Sequence, residues 1–185
     1  DSKRLEIFNF IKKQINEGRQ IYIVYPLIEE SKKMDYKDLM DGYESISREF
    51  PLPKYKISIL HGKMKYDEKK IEMKRFIKGE TQIMVATTVI EVGVNIPNAS
   101  VMIIESAEKF GLSQLHQLRG RVGRGNFQSY CILVASEKKS NEAKIRLETM
   151  KKSNDGFEIA DVDLKLRGPG TVSYTHLRAH ETVDY

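Results

Sequence analysis

Five short runs of apolar residues, each separated from the next by a stretch with helical periodicity, constrain the fold of this chain most strongly. The runs are rich in β-branched and aromatic residues, as in strands that are buried on both faces. They span residues 21–25, 57–60, 83–86, 101–104 and 130–134. Between them, apolar residues recur at intervals of three and four, which is typical of amphipathic helices. The alternation predicts an α/β fold, in which helices flank a parallel sheet.

The composition fits a globular protein with one main domain. The chain has 185 residues, of which 40% are apolar and 31% are charged, and these fractions exclude disordered and collagen-like chains. No apolar run approaches the roughly 18 residues that a membrane span needs, so no membrane partner is expected. The single cysteine, Cys131, excludes a disulfide framework or a multi-cysteine zinc site. We expect a buried thiol in a strand there, and a reducing, cytoplasmic setting.

The character of the sequence changes at Ser140. Residues 1–139 contain all five predicted strands. A charged helix over residues 141–152 then leads to a turn signal at residues 155–156 and an irregular stretch. Residues 140–170 are therefore predicted to form a short helical and irregular appendage. The net charge of +5 permits a polyanionic partner such as nucleic acid, although solvated lysine faces would give the same sum.

The segment that is most informative about chemistry is QLRGRVGRG, residues 117–125. A helix that begins at Ser113 and continues through this segment would place Gln117, Arg121 and Arg124 on one face, at positions i, i+4 and i+7. Two guanidinium groups on one face suit phosphate oxygens. The alternative is a solvated basic helix end, because arginine near a helix C-terminus also complements the helix dipole.

Two glycines, Gly120 and Gly123, interrupt this predicted helix. Each costs about 1 kcal/mol relative to alanine inside a helix, so a helix built only for stability would avoid them. Glycine is useful where a phosphate or another backbone must come close. Their order is not that of the dinucleotide loop G-x-G-x-x-G, and they do not open a helix after a strand, which excludes that motif.

Ligands of an open parallel sheet bind outside the carboxyl ends of the strands, so the segments directly after strands are further candidates. Residues 87–97 follow the third strand and include Gly93 and Asn95; the alternative is a plain strand-to-helix connection. His61 and Gly62 follow the second strand, where a lone histidine can also be an ordinary loop residue.

Two kinds of site are excluded. The chain contains no Walker A loop, G-x-x-x-x-G-K-[ST], so it cannot cradle and hydrolyse a nucleoside triphosphate alone by that chemistry. His176 and His180 have the spacing of a helical metal pair, but no third ligand accompanies them, and no metal site is predicted.

Taken together, these segments resemble the second RecA-like motor domain of superfamily-two helicases, whose fold is a RecA-like (P-loop NTPase-type) parallel sheet. Residues 117–124 are similar to motif VI, residues 87–97 to motif V, and residues 60–62 to the motif after the second strand. Longer stretches resemble the bacterial RecG family of branched-DNA translocases: VATTVIEVGV (residues 85–94), FGLSQLHQLRGRVGRG (residues 110–125), and DGFEIA through LRGPG (residues 155–170).

The last of these stretches resembles a translocation motif that the RecG family shares with the transcription-repair coupling factor Mfd. Val92, His116 and Pro169 favour RecG over Mfd. The resemblance covers residues 1–170. SYTHLRAHET, residues 173–182, looks instead like translated cloning sequence, so residues 171–185 are expected to be an adaptor-derived tail.

The resemblance implies a nucleotide role for five residues. Arg121 and Arg124 would be arginine fingers that reach the γ-phosphate of ATP, and Gln117 would help to hold that arrangement. Gly93 and Asn95 would line the cleft near the nucleotide. Asn95 stands where the family commonly has aspartate; its amide can bind a ribose hydroxyl but cannot form an ion pair with either arginine.

The resemblance also implies a nucleic-acid role for His61, Gly62, Thr87 and Arg167, with Arg167 a participant in coupling cleft closure to movement of the duplex. The parent protein would be an ATP-dependent DNA helicase that remodels stalled forks and Holliday junctions in recombination and repair. Its partners would be a first RecA-like domain and a wedge domain of the same polypeptide, with ATP and Mg²⁺ held mainly by the first domain. The chain alone would be inactive. The alternatives are the equivalent domain of Mfd, or a non-catalytic nucleic-acid-binding α/β module.

Overall fold

The computed structural model describes residues 2–27, 32–87 and 95–167. Its elements follow one another in the alternating order that the sequence predicts. They are α1 (Ser2–Asn16), β1 (Gln20–Tyr25), α2 (Lys32–Glu49), β2 (Ile57–Leu60), α3 (Tyr66–Ile77), β3 (Ile83–Thr87), β4 (Ala99–Ile104), a 3-10 turn (Ala107–Lys109), α4 (Leu112–Arg119), β5 (Tyr130–Leu133), α5 (Asn141–Lys152) and α6 (Gly156–Arg167).

The five strands form one sheet in the order β2-β3-β1-β4-β5, and every pair is parallel. The three central strands, β1, β3 and β4, are buried along their whole length, because helices cover both faces of a parallel sheet. The prediction of an α/β fold, with a parallel sheet flanked by helices, is therefore confirmed. All carboxyl ends lie at one edge of the sheet and all amino ends at the other, and these two edges organise the candidate sites.

Each face of the sheet has its own apolar core. One core packs α1 and α2 against the sheet through residues such as Phe8, Ile11, Leu39 and Phe50. The other packs α3 and α4 through Phe76, Leu112, Leu115 and Leu118, and it also includes Leu147, Met150 and Ile159 from α5 and α6. The appendage thus shares an apolar core with the sheet. The division of the chain at residue 140 stays a prediction.

The appendage is more regular than the sequence predicts. The stretch expected to be irregular forms helix α6, which packs against α4 and α5. Asp155 caps it, since its Oδ1 accepts a hydrogen bond from the Phe157 N–H at 2.8 Å. Residues 168–185, including the expected adaptor-derived tail and Pro169, lie outside the described residues.

Cys131 lies in β5 as predicted, but it is half-buried rather than fully buried. The reason is that β5 is an edge strand of the sheet that the described residues form. Burial nevertheless has the largest effect on the acidity of the thiol. It raises the pKa of Cys131 to about 11, and the positive charge of Arg119 opposes this shift more weakly.

Candidate functional site

The segment that carries Arg121 and Arg124 is a loop rather than a helix. Helix α4 begins at Leu112, one residue before the predicted start, and ends at Arg119. The N–H groups of Arg121 and Val122 then donate to carbonyls three residues earlier, at 3.0 and 3.3 Å, which closes the helix with a tight turn.

Gly123 continues this departure from the helix, with a φ of +88° that glycine adopts without strain. The expectation that Gln117, Arg121 and Arg124 share one helical face is therefore wrong. The glycines end the helix instead of lying inside it. We call residues 120–129, which connect α4 to β5, the arginine loop.

The arginine loop lies at the amino edge of the sheet. Helix α4 starts near the carboxyl end of β4, crosses the sheet face and delivers the chain to the start of β5. Gly125 confirms the placement, since a Cβ on it would lie 2.7 Å from the carbonyl oxygen of Pro97, just before β4. The arginine loop therefore lies opposite the carboxyl edge, where ligands of an open parallel sheet usually bind, because the crossover through α4 returns the chain to the amino edge.

The two guanidinium groups of the loop are not neutralised by any described carboxylate. Arg124 is exposed, and its Nε donates to the carbonyl oxygen of Gly120 at 3.1 Å. Arg121 is half-buried. Burial raises the pKa of Tyr22 to about 12, and the positive charge of Arg121 opposes that shift. Such a pair of unneutralised cations can bind phosphate oxygens.

Asn95 reaches the same edge as the arginine loop. It is exposed and is followed by the buried Ile96 and by Pro97, against which Gly125 packs. The structure therefore brings together three of the four residues predicted to contact nucleotide. The fourth, Gly93, falls within residues 88–94, which lie outside the described residues, as does Val92.

Three of the four residues predicted to contact nucleic acid, His61, Gly62 and Thr87, lie at the opposite, carboxyl edge, and the fourth, Arg167, lies elsewhere. Thr87 ends β3 and is 3% exposed, and its hydroxyl makes no hydrogen bond with the described residues. Gly62 follows β2 and is exposed, with nothing within 4 Å of the place a Cβ would take. Space alone does not require glycine there.

His61 is held beside Gly62 by two neighbours. Its Nδ1 accepts the backbone N–H of Lys63 at 3.3 Å, and its ring meets the ring of Tyr36 edge-on with centroids 5.1 Å apart. Partial burial lowers the pKa of His61, and the charges of Lys63 and Lys69 lower it further. The imidazole is thus held in its neutral form.

Lys63 is a cation that the motif search did not single out. Its Nζ lies 3.9 Å from the centroid of the Tyr36 ring, within the range of a cation–π contact. No local pattern in the sequence links these two residues, since Tyr36 belongs to α2 and Lys63 follows β2. Only the tertiary fold reveals this pair.

Gln117 and Arg167 belong to a third place, a groove between α4 and α6. The groove has a volume of about 290 Å³, and Ser113 and His116 also line it. Arg167 forms an ion pair with Asp163 at 2.8 Å. Gln117 is exposed along this groove, so the structure places it on α4 and outside the arginine loop.

Arg119 is the residue that sequence analysis missed. Its Nη1 donates to the carbonyl oxygens of Met150 and Ser153 at 2.9 and 2.7 Å, which caps the C-terminus of α5. Its Nη2 lies 3.1 Å from Nδ1 of His116. Three arginines occur within residues 119–124, and spacing alone could not tell which of them turns toward the appendage.

The described part of the chain offers neither a metal site nor a membrane-spanning helix. No three of its histidine, cysteine, aspartate and glutamate side chains are grouped so that they could hold a metal ion. None of its helices has the length and apolar character to cross a bilayer.

Comparison with known proteins gives one matching family and a consistent set of relatives. Residues 3–126 match the helicase conserved C-terminal domain. The ATP-dependent DNA helicase RecG of Bacillus subtilis is 52% identical over 164 residues, which are 89% of this chain and 24% of that protein. RecG of Synechocystis is 51% identical over 168 residues, 91% of this chain and 20% of that protein. The chain thus spans a fifth to a quarter of the length of these relatives.

Solved structures agree with the sequence relatives. A structure of RecG bound to a three-way DNA junction superposes with a TM-score of 0.75 at 44% identity, covering 91% of this chain and 21% of that one. Domain 2 of the DEAD-box helicase Mss116p, bound to an RNA duplex, has a TM-score of 0.60 at 23% identity, with 81% of this chain and 55% of that one covered. At 23% identity, the similarity to Mss116p concerns the fold alone.

Proposed function

The chain belongs to the helicase conserved C-terminal domain family, and we propose on that basis that it is the second motor half of an ATP-dependent DNA translocase of the RecG type. The parent protein would remodel branched DNA, such as stalled forks and Holliday junctions, in recombination and repair. A first RecA-like domain and a wedge domain of the same polypeptide would be its partners. The cytoplasmic setting stays a prediction.

The arginine loop carries this proposal. Arg121 and Arg124 form no ion pair with a described carboxylate, and they share the amino edge with Asn95. When the two motor halves close on ATP, these guanidinium groups would meet the γ-phosphate and stabilise the charge that develops in the transition state. An arginine in that role is worth about 10³ to 10⁵ in rate.

The nucleotide itself would be held mainly by the other half. No Walker A loop occurs in the 185 residues, and no group of side chains in the described part of the chain suits a metal ion. ATP and Mg²⁺ would therefore bind to the first RecA-like domain. Asn95 would contribute a hydrogen bond to a ribose hydroxyl, and Gly93 would approach the same cleft.

DNA would bind at the carboxyl edge, away from the nucleotide. His61, Gly62 and Thr87 lie there, together with Lys63. Backbone amides and a lysine can contact phosphates without reading sequence, which suits a motor that moves along any DNA; the hydroxyl of Thr87 is buried and would have to become accessible first. Using opposite edges, one domain can contact both ligands at once.

The appendage would link the nucleotide cleft to the DNA. Arg119 connects the last turn of α4 to the C-terminus of α5, two residues before Arg121. A movement of the arginine loop on cleft closure would therefore pull on α5 and α6. Gln117 and Arg167, which line the groove between α4 and α6, would shift with them.

The proposal is tested by supplying the missing parts. In a RecG chimera, this chain replaces the matching segment of the Bacillus subtilis RecG. We expect ATP hydrolysis stimulated by branched DNA from the chimera, and negligible hydrolysis with weak, salt-sensitive DNA binding from the 185-residue chain alone. ATPase activity in the isolated chain that is lost in Arg124→Ala would contradict a motor made of two halves.

A further inference from the structure

The arginine loop has no helix or strand of its own, yet Arg121 and Arg124 must reach a fixed place. Two contacts restrain the loop on the side of its glycines. Gly125 packs against the Pro97 carbonyl, and the Nε of Arg124 donates to the Gly120 carbonyl at 3.1 Å. Neither contact restrains the part of the loop that follows Gly125.

A third contact restrains that part. The guanidinium of Arg19, in the turn between α1 and β1, lies over the ring of Phe127 with Cζ 3.3 Å from the ring centroid. Arg19 is itself held in place, because its Nε and Nη2 donate to the Glu17 carbonyl at 3.3 and 3.2 Å. Phe127 is therefore stacked on a side chain that is held within the turn leading into β1, a central strand of the sheet.

We propose that the stack of Arg19 on Phe127 positions the arginine loop, so that Arg19 and Phe127 are positioning residues for Arg121 and Arg124. The inference rests on the function proposed above. Phe127 is three residues beyond Arg124, and three residues span at most about 11 Å even when fully extended. Fixing the ring thus limits where the guanidinium of Arg124 can be.

Two features distinguish this contact from ordinary core packing. The side chain of Phe127 stays 48% exposed, so it contributes less to burial than a core phenylalanine. The Nη1 of Arg19 is buried and makes no hydrogen bond with the described residues, which a contact serving stability alone would avoid. What the stack does supply is a fixed location for the loop.

The first experiment measures the loop directly in the 185-residue chain. We expect Phe127→Ala and Arg19→Gln to accelerate amide hydrogen exchange in residues 121–129 while the exchange of β1 and β3 stays unchanged. Phe127→Tyr keeps the ring and should exchange like the original chain. Unchanged exchange of the loop in both of the first two variants overturns the proposal.

The second experiment measures the consequence in the RecG chimera. Misplacing a catalytic group by about 1 Å can cost about 100-fold in rate, so Phe127→Ala should lower kcat by about 10- to 100-fold with KM for ATP nearly unchanged. Phe127→Tyr should restore kcat. Ile71→Ala removes an apolar side chain that is 59% exposed on α3, away from the proposed sites, and it serves as the control without effect.

The outcomes separate this inference from the function on which it rests. In a chimera that already carries both Arg121→Ala and Arg124→Ala, adding Phe127→Ala should change kcat little, because both groups to be positioned are gone. If Phe127→Ala lowers kcat by the same factor with and without the loop arginines, the two effects are independent and the positioning role is overturned. If Arg121→Ala or Arg124→Ala lowers kcat and Phe127→Ala does not, only the positioning role fails; if neither arginine variant has an effect, the proposed function fails.

Discussion

Gly125 and Pro97 are packed backbone against backbone: a Cβ at Gly125 would lie 2.7 Å from the Pro97 carbonyl oxygen. This contact ties the arginine loop to the segment that carries Asn95. Two stretches separated by a whole strand and helix in the chain thereby meet at the amino edge of the sheet, where the proposed nucleotide site is assembled.

Gly125→Ala should disturb that assembly. The clashing atom is a backbone oxygen, which cannot move aside as a flexible side chain can, and overpacking of this kind costs about 1–3 kcal/mol. We expect a lower free energy of unfolding for the 185-residue chain in urea, and slower ATP hydrolysis by the chimera. Gly62→Ala is the control for stability, because nothing lies within 4 Å of its Cβ position. Equal destabilisation by the two substitutions would contradict the contact.

Arg119→Ala should loosen the appendage. The substitution removes hydrogen bonds from a charged donor to the Met150 and Ser153 carbonyls, and losing them should lower the free energy of unfolding by about 2–3 kcal/mol. Hydrogen exchange should accelerate in α5 and α6 more than in the sheet. Arg48→Ala breaks an exposed ion pair with Glu44 and should cost at most about 0.5 kcal/mol. Uniform acceleration throughout the chain would argue against a local role for Arg119.

The pKa of His61 should lie below 6.5 in the folded chain, because partial burial and the charges of Lys63 and Lys69 disfavour the imidazolium. Folding then favours neutral His61, so this contribution to stability is complete above pH 6.5 and is lost as the pH falls below that value. Lys63→Ala should raise the pKa of His61 in an NMR titration. A pKa that stays constant or falls in Lys63→Ala would show that the lysine charge does not act on the ring.

Cys131 should alkylate slowly at neutral pH, because burial raises the pKa of its thiol to about 11. The thiolate is the reactive form, so the rate with iodoacetamide should rise about tenfold per pH unit from pH 7 to 9.5 without levelling off. An ordinary thiol, such as that of the chain unfolded in urea, should level off near pH 8.5. A plateau near pH 8.5 in the folded chain would contradict the effect of burial.

The sheet could be predicted from the sequence because its strands are continuous apolar runs. The run at residues 101–104 is fully buried in β4. A continuous apolar run of this length is typical of a strand that is covered on both faces. The strand boundaries were accurate to within one or two residues for the same reason. Thr87, at the end of β3, is a polar residue that the pattern does not include.

The arginine loop was harder to predict, because Gly120 and Gly123 can be read in two ways. A glycine within a helix indicates that a phosphate or another backbone comes close to the helix there. A glycine after a helix indicates that the helix ends. The structure shows the second case, and Gly123 has the positive φ that ends helices. Where the loop begins depends on where α4 ends, so one wrong boundary also placed Arg121 and Arg124 on a helical face.

The sequence contains a pattern that predicts the start of helix α6. Asp155 is followed three residues later by Glu158, which is the pattern of a helix N-terminus. Ile159 and Val162 then recur at helical spacing, and both contact the core. The cap of Asp155 on Phe157 is therefore predictable in principle. The contacts of Arg119 and of Lys63 are not, since their partners are distant in sequence.

The central claim is that Arg121 and Arg124 act on ATP held by another motor half. The most direct measurement is the ATPase activity of the RecG chimera, stimulated by a branched DNA fork, for Arg121→Ala, Arg124→Ala and the surface control Arg48→Ala. We expect at least one of the two loop variants to lose about 10³- to 10⁵-fold in kcat, while fork binding and the control are unchanged. Equal rates for the original chimera and both loop variants would contradict the claim.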